Sequence, residues 1–240
     1  MKLFGFSLSE VLIALVIIGI VAAISVPVIH STQDLTERVS RINNAYSVLS
    51  SAVDAANGYD AGLGYGTTGS ASSTDTSKKW FNTFLKPYLQ TTKICYDTKG
   101  CWNSAGKVLA YSSTNKVYPT SNNAKGMGTN CVSAILNDGT FISVNIGLYD
   151  NIKRLTNYEM PESPRRNPVY IYFDVNGDRG PNMMGEDIFV LFWNPYTFEL
   201  MPAFGGSNSS DIDKSCGGGG DTISGISTDG YSCIMKYLKT

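Results

Sequence analysis

The sequence predicts an α+β fold, a long N-terminal helix followed by a mostly antiparallel sheet. Three observations carry that prediction. Residues 11–29 form an uncharged apolar run, residues 30–57 continue with apolar positions at steps of three and four, and the remainder breaks into short β-branched and aromatic runs between Gly, Asn, Asp and Ser clusters. Helix first and strands afterwards is the α+β order.

The apolar run, VLIALVIIGIVAAISVPVI, holds 19 residues without a charge. As a helix it would extend roughly 28 Å, close to the hydrocarbon thickness of a bilayer. Inside lipid every backbone group must be satisfied within the segment, which requires the helical form there. Lys2 is the only charge before Glu10, so the short leading end is expected to stay cytoplasmic and the rest to lie outside. The leader is too short for a secretory signal peptide, and no small-residue cleavage site follows the run. Glu10 at the edge of an apolar span is costly and calls for a partner. Beyond the span, Leu35, Val39, Ile42, Tyr46, Leu49 and Val53 form a stripe along 30–57, a surface for packing on a sheet. Asn57-Gly58 reads as the helix end, so one helix is expected from Ser7 to Asn57, loosened near Pro27.

Residues 58–77 are Gly/Ser/Thr-rich and read as a loop. Lys78–Leu89 reads as a short amphipathic helix with Trp80, Phe81, Phe84 and Leu85 inward and Pro87 near its end. Strands are expected at Val108–Tyr111, Cys131–Leu136, Thr140–Ile146, Val169–Phe173, Ile188–Trp193, Phe198–Pro202 and Ser232–Leu238. Asn137-Asp138-Gly139 between the second and third predicts a tight hairpin.

Composition narrows the function classes. A formal charge of −1 with 16 % charged residues, and Arg165-Arg166 as the only tight basic pair beyond the N-terminal third, argue against nucleic-acid binding. Catalysis finds little support. The only histidine, His30, lies at the membrane boundary and leaves the head without a base for a Ser-His-Asp or Cys-His site. Asp211/Asp213 and Asp174/Asp187 are carboxylate pairs in turn-like segments, and Gly217–Gly220 lacks the Lys-Ser/Thr of a phosphate-binding loop. No enzyme is expected. The cysteines Cys95, Cys101, Cys131, Cys216 and Cys233 include no C-x-x-C pair, which disfavours zinc and favours disulfides formed in an oxidising compartment, with one thiol left over.

Met1-Lys-Leu-Phe-Gly5 followed by Phe6-Ser-Leu-Ser-Glu10-Val-Leu-Ile-Ala-Leu resembles the cleavage and methylation motif of type IV pilins and type II secretion pseudopilins. The resemblance implies a leader at 1–5, a cut between Gly5 and Phe6 by a prepilin peptidase, and an N-methylated Phe6. Glu10 then takes the place of the family glutamate that pairs with a neighbour's N-terminal amine, and Pro27 that of its helix-kinking proline. The implied architecture is the pilin ladle: helix 6–57, transmembrane over 11–29 and amphipathic over 30–57, packed on a globular β-rich head at 58–240. The implied partners are other copies of the chain or other pilins and pseudopilins, the peptidase, an inner-membrane assembly platform and the lipid bilayer. The implied location is the inner membrane before assembly, and a periplasmic or cell-surface filament afterwards. The likeness extends into the head through Tyr170–Asn182, Gly185 and Asp187-Ile-Phe, the Leu136–Thr140 turn and the terminal cysteines. It is weakest over 58–130.

Two further expectations come with it. The loop beginning D-x-N-G-D at Asp174 offers oxygen ligands with a glycine for a sharp turn, and some pseudopilins hold calcium in a β-region loop. By that analogy the ligands are Asp174, Asn176, Asp178 and Asp187. A plain Asx/Gly turn fits the same residues, and no cofactor is otherwise called for. Cys216 and Cys233 resemble the C-terminal disulfide loop of pilins, and closing it would contribute roughly 3 kcal/mol in the chain-entropy model. Cys95 and Cys101 close a small loop with Cys131 free, or Cys101 pairs with Cys131 and leaves Cys95 free. The expected function is a structural filament subunit. A membrane-anchored binding or adhesion module that does not polymerise is the alternative, followed by an anchored enzyme.

Overall fold

The computed structural model describes residues 8–60, 73–104, 106–109, 111, 121–122, 124–147, 167–203, 216, 222–223, 226–227 and 230–238, with the backbone alone at 22–34, 58–60, 121–122, 222–223 and 226–227. The chain falls into two compact units, Met1–Ser40 and Arg41–Thr240.

Helix α1 runs from Leu8 to Asp60. In the first unit its apolar side chains from Leu8 to Val21 are exposed on every side, Leu8 at 83 %. Among the described residues no helix is long and apolar enough to cross a membrane; the second part of the 11–29 run has its side chains outside them. The helix is unbroken at Pro27 and passes Gly58, three residues beyond the expected end at Asn57. Leu35, counted in the expected packing stripe, is exposed and belongs to this first unit.

In the second unit the stripe does its expected work. Ile42, Ala45, Leu49, Ala52, Val53 and Ala56 are buried at helical spacing, with Tyr46 partly buried beside them. They pack on one face of an antiparallel sheet together with α2 (Thr74–Phe84), which buries Trp80, Phe81 and Phe84. α2 starts four residues before the predicted Lys78. Ser73 caps it, its Oγ accepting from the Thr76 N–H at 3.1 Å, and satisfies an amide that has no partner within the helix.

The main sheet has the order β1-β4-β5-β6-β7-β8, formed by β1 (Thr91–Tyr96), β4 (Val132–Leu136), β5 (Phe141–Ile146), β6 (Val169–Asp174), β7 (Ile188–Trp193) and β8 (Leu200–Pro202). Two small ribbons lie outside it, β2 (Ser121–Asn122) with β3 (Gly126–Met127), and β9 (Thr222–Ile223) with β10 (Ile226–Ser227). Side chains alternate across the sheet. Val169, Ile171, Phe173, Phe189, Leu191 and Trp193 meet the helices, whereas Tyr170, Tyr172, Ile188, Val190 and Phe192 face a second core. That second core is closed by covering segments bearing Trp102, Val108, Met127, Met184 and Tyr231. Every residue of β6 and β7 is therefore buried.

The β4–β5 connection is the predicted hairpin. Gly139 adopts φ 86°, which a Cβ would strain, and the Thr140 N–H donates to Asp138 Oδ1 at 2.9 Å. Three strand expectations change. Among the described residues of Val108–Tyr111, Leu109 bridges Met183 outside any named strand and Val108 is buried. Ser232–Leu238 is not a strand: after Gly230, at φ 92°, the chain turns into helix α3 (Ile234–Leu238), which buries Ile234 and Met235. β1 was not anticipated, because Thr91-Thr92-Lys93 lacks an apolar pattern; pairing with β4 supplies what its own sequence does not.

Candidate functional site

The N-terminal motif is described in part. Gly5 and Phe6 lie outside the described residues. Glu10 sits in the first turn of α1, where the partial positive charge of the helix N-terminus favours a carboxylate. At Pro27 the backbone is helical, and the side chain lies outside the described residues.

The acidic loop is fully described between β6 and β7. Asp174 ends β6 with its side chain on the second-core side of the sheet, and Asp187 precedes β7. They are 0 % and 1 % exposed. Asp174 Oδ1 accepts from the N–H groups of Asn176, at 3.1 Å, and Gly177, at 2.9 Å, an Asx turn that starts the loop. Asp187 receives the other end: Oδ2 accepts from the Asn182 N–H at 2.7 Å and Oδ1 from the Met183 N–H at 2.6 Å. The two carboxylates thus gather four backbone donors that no strand satisfies. Gly177 and Gly185 hold φ of 66° and 82°, and a Cβ at Gly185 would lie 2.5 Å from Cys233 Sγ.

Asn182 joins the two ends. With its carboxamide nitrogen inward it donates to Asp174 Oδ2 at 3.3 Å and to the Gly177 carbonyl at 3.2 Å, the orientation the surrounding acceptors require. Two contacts fasten the loop and hairpin to α1. Arg41 Nη1 donates to the Val175 carbonyl at 3.4 Å, and Asn44 Nδ2 donates to Asp138 Oδ2 at 3.1 Å.

Burial of charge dominates the electrostatics. Desolvation, then the neighbouring Asp187 carboxylate, push Asp174 up to about 8, against the opposing pull of the Asn176 and Gly177 amides. Burial also raises Asp187, opposed first by the Met183 and Asn182 amides. Asp174 therefore holds a proton near neutrality, which relieves the repulsion between two enclosed carboxyls.

The expected calcium ligands do not gather as a cage. Asp178 Oδ1 accepts from the Ser104 N–H at 2.7 Å, tying down the covering segment instead. Among the described residues no three His, Cys, Asp or Glu side chains come together as a metal site would require. Asn176 Oδ1 is buried in the same loop without a hydrogen-bond partner. The geometry is that of a loop closed by its own amides. Sequence reading found the acids and missed Asn182, Ser104 and Arg41; the Pro181-Asn182 step five residues before Asp187 was the available signal for the first.

The cysteines divide into bridges Cys95–Cys101 and Cys216–Cys233, with Cys131 free and buried. Cys233 leads into α3, so the second bridge ties that helix to Cys216 beside the first core.

Comparison with known proteins bears on the N-terminus. Residues 3–26 match the family model described as the prokaryotic N-terminal methylation motif, the signature of type IV pilins and pseudopilins. The chain thus begins as a type IV pilin-like prepilin does. No curated protein and no solved structure matches it.

Proposed function

We propose that this chain is a structural subunit of a type IV pilus or a type II secretion filament, cut between Gly5 and Phe6, methylated on Phe6 and polymerised through its N-terminal helix. The observation that carries the reading is the methylation-motif match over residues 3–26, within which Gly5, Phe6 and Glu10 fall. The exposed apolar shell of α1 from Leu8 to Val21 supports it. Apolar surface in water costs roughly 25 cal/mol per Å², so this shell belongs in lipid or against like helices.

In this reading residues 11–29 span the inner membrane with the N-terminus cytoplasmic, and an assembly platform draws the processed chain into a filament of like subunits. Cleavage exposes an amine at Phe6, and Glu10 of a neighbouring subunit neutralises it, which removes two costly charges from the apolar interior. Pro27 offers a local hinge in the packed helices. The domain boundaries are a leader at 1–5, the helix from residue 6 through Asp60 and the head beyond it, and the head is a structural body rather than a catalytic one.

Intact-mass analysis of the N-terminus from native membranes tests processing: the expected species lacks Met1–Gly5 and carries one added methyl. A full-length, unmethylated terminus refutes the proposal. Glu10→Ala tests assembly, with membrane retention and loss of filaments expected. Correct processing with no filament in the wild type would leave an anchored binding module.

A further inference from the structure

Charge is sorted along this chain. Residues 73–125 hold eight lysines and two aspartates, without arginine or glutamate, in a chain whose net charge is −1. Asp75 sits in the first turn of α2, where the helix dipole favours it, and Asp97 is taken by Lys125 at 3.2 Å. Three of the other lysines gather about β1, a terminal strand of the main sheet. Lys78 on α2 reaches over the Tyr96 ring, 4.8 Å from its centroid, and the Tyr96 hydroxyl donates to Asn82 Oδ1 at 2.9 Å, which seats α2 beside the strand. Lys93 leaves the opposite face from Tyr96 by strand alternation and lays its Nζ over Gly100, and Lys99 is exposed in the bend that follows. Among the described residues none of the three is in an ion pair.

The far edge of the sheet, at β8, is acidic. Glu199 is exposed immediately before the strand, and Asn57 Nδ2 donates to the Phe198 carbonyl beside it. Asp54, exposed one turn earlier on α1, shares that side. Neither residues 42–57 nor residues 194–203 contain Lys or Arg. With six strands about 4.8 Å apart, the two edges stand roughly 24 Å from one another, so Lys93 and Glu199 cannot pair within one head. Nor do the edges invite strand addition. The Asn194 N–H donates to the Glu199 carbonyl, so by alternation Pro202, which has no N–H, turns outward from β8. Two β1 edges brought together would set lysine against lysine.

We propose that the edge bearing Lys78, Lys93 and Lys99 is a docking surface for the Glu199 and Asp54 edge of a second copy of this chain. The two patches differ, so the contact is heterologous. Each head offers one edge and receives on the other, and the association propagates instead of closing into a pair. Complementary charge orients the incoming head and disfavours reversed approaches, in which like charges would meet. Exposed ion pairs are individually weak, so the edges select the neighbour and its orientation, while buried apolar surface supplies the bulk of the stability. The inference rests on the filament reading above and names which surfaces of the heads meet.

The test uses cells making the full chain, with filaments sheared off, counted by electron microscopy and quantified by immunoblot. Filaments treated with a zero-length carbodiimide are expected to yield joined chains whose digest links Lys78, Lys93 or Lys99 to Glu199 or Asp54. A Lys93–Glu199 link comes only from two chains. Reversing the three lysines together (Lys78→Glu, Lys93→Glu, Lys99→Glu) is expected to lower filament yield about tenfold, with membrane level and N-terminal processing unchanged. Adding Glu199→Lys and Asp54→Lys is expected to restore the yield to within about threefold of wild type. Wild-type yield with all three lysines reversed, or a swap that restores nothing, would overturn the inference and leave the filament reading standing. So would lost retention on heparin resin without lost filaments, which would mark the edge as a site for an anionic polymer. A wild type without filaments would refute the filament reading and this inference together.

Discussion

Asp174→Asn is expected to stabilise the protein near pH 8, an unusual outcome for a residue with no exposed surface. Burial moves the carboxyl from its ordinary value of 3.8 up to about 8 in the folded chain. Folding therefore takes up a proton across that window, and stability falls as pH rises through it, because the unfolded chain has already released what the folded chain retains. A displacement of about four pH units sets a ceiling of about 6 kcal/mol. The effective dielectric of a real protein interior, well above that of a dry one, lowers this to roughly 2 kcal/mol. Asparagine keeps an oxygen for the Asn176 and Gly177 amides and replaces Oδ2 by a neutral NH₂, whose hydrogen the oxygen of a turned Asn182 carboxamide can accept. Urea unfolding of the full chain in detergent, followed by tryptophan fluorescence at about pH 5 and about pH 8, reads both effects. The wild type is expected to be more stable at the lower pH, and the variant to show a flatter profile. A wild type that gains stability from pH 5 to 8, or a variant that loses stability at pH 8, would refute the reasoning.

Other outcomes follow from the same coordinates. Asp187→Ala removes the acceptor of the Asn182 and Met183 amides and is expected to cost about 3 kcal/mol in the same unfolding assay, partly offset by relief of Asp174. Excess calcium or chelator is expected to leave the melting temperature unchanged; a rise with calcium would mean that Asn182 turns its oxygen inward and the loop binds the ion after all. Leu49→Ala opens a cavity between α1 and the sheet and is expected to cost about 2–5 kcal/mol of unfolding free energy. Gly147→Ala places a Cβ 1.4 Å from Tyr170 Cε2, so expression as insoluble or protease-sensitive protein is expected.

The parts of the fold legible in the sequence were those whose residues state their own environment. β7 and the Val169–Phe173 part of β6 are continuous runs of aliphatic and aromatic residues, and the Asn137-Asp138-Gly139 turn fixes the β4–β5 hairpin whatever surrounds it. The start of α2 was hidden because Ser73 caps it from within a Ser/Thr-rich stretch where any hydroxyl would have served. Ile234–Leu238 is too short for period to separate helix from strand, and Gly230 with the Cys216 bridge decides it. At the acidic loop the sequence showed which side chains carry oxygen but not what each oxygen meets. Asp178 finds its donor at Ser104, far away in the chain, and Asn182 acts only once both ends of the loop are in place.

The enclosure of β6 and β7 on both faces bears on how such a chain can diversify. A substitution in either strand disturbs one of two packed layers, so there is no neutral side on which change can accumulate. Novelty is channelled instead into the overlying segments, where Ser104 and Lys107 reach solvent between the buried Trp102 and Val108. A lineage under pressure to alter its outward appearance could redraw that covering while leaving the central hairpin as it was inherited.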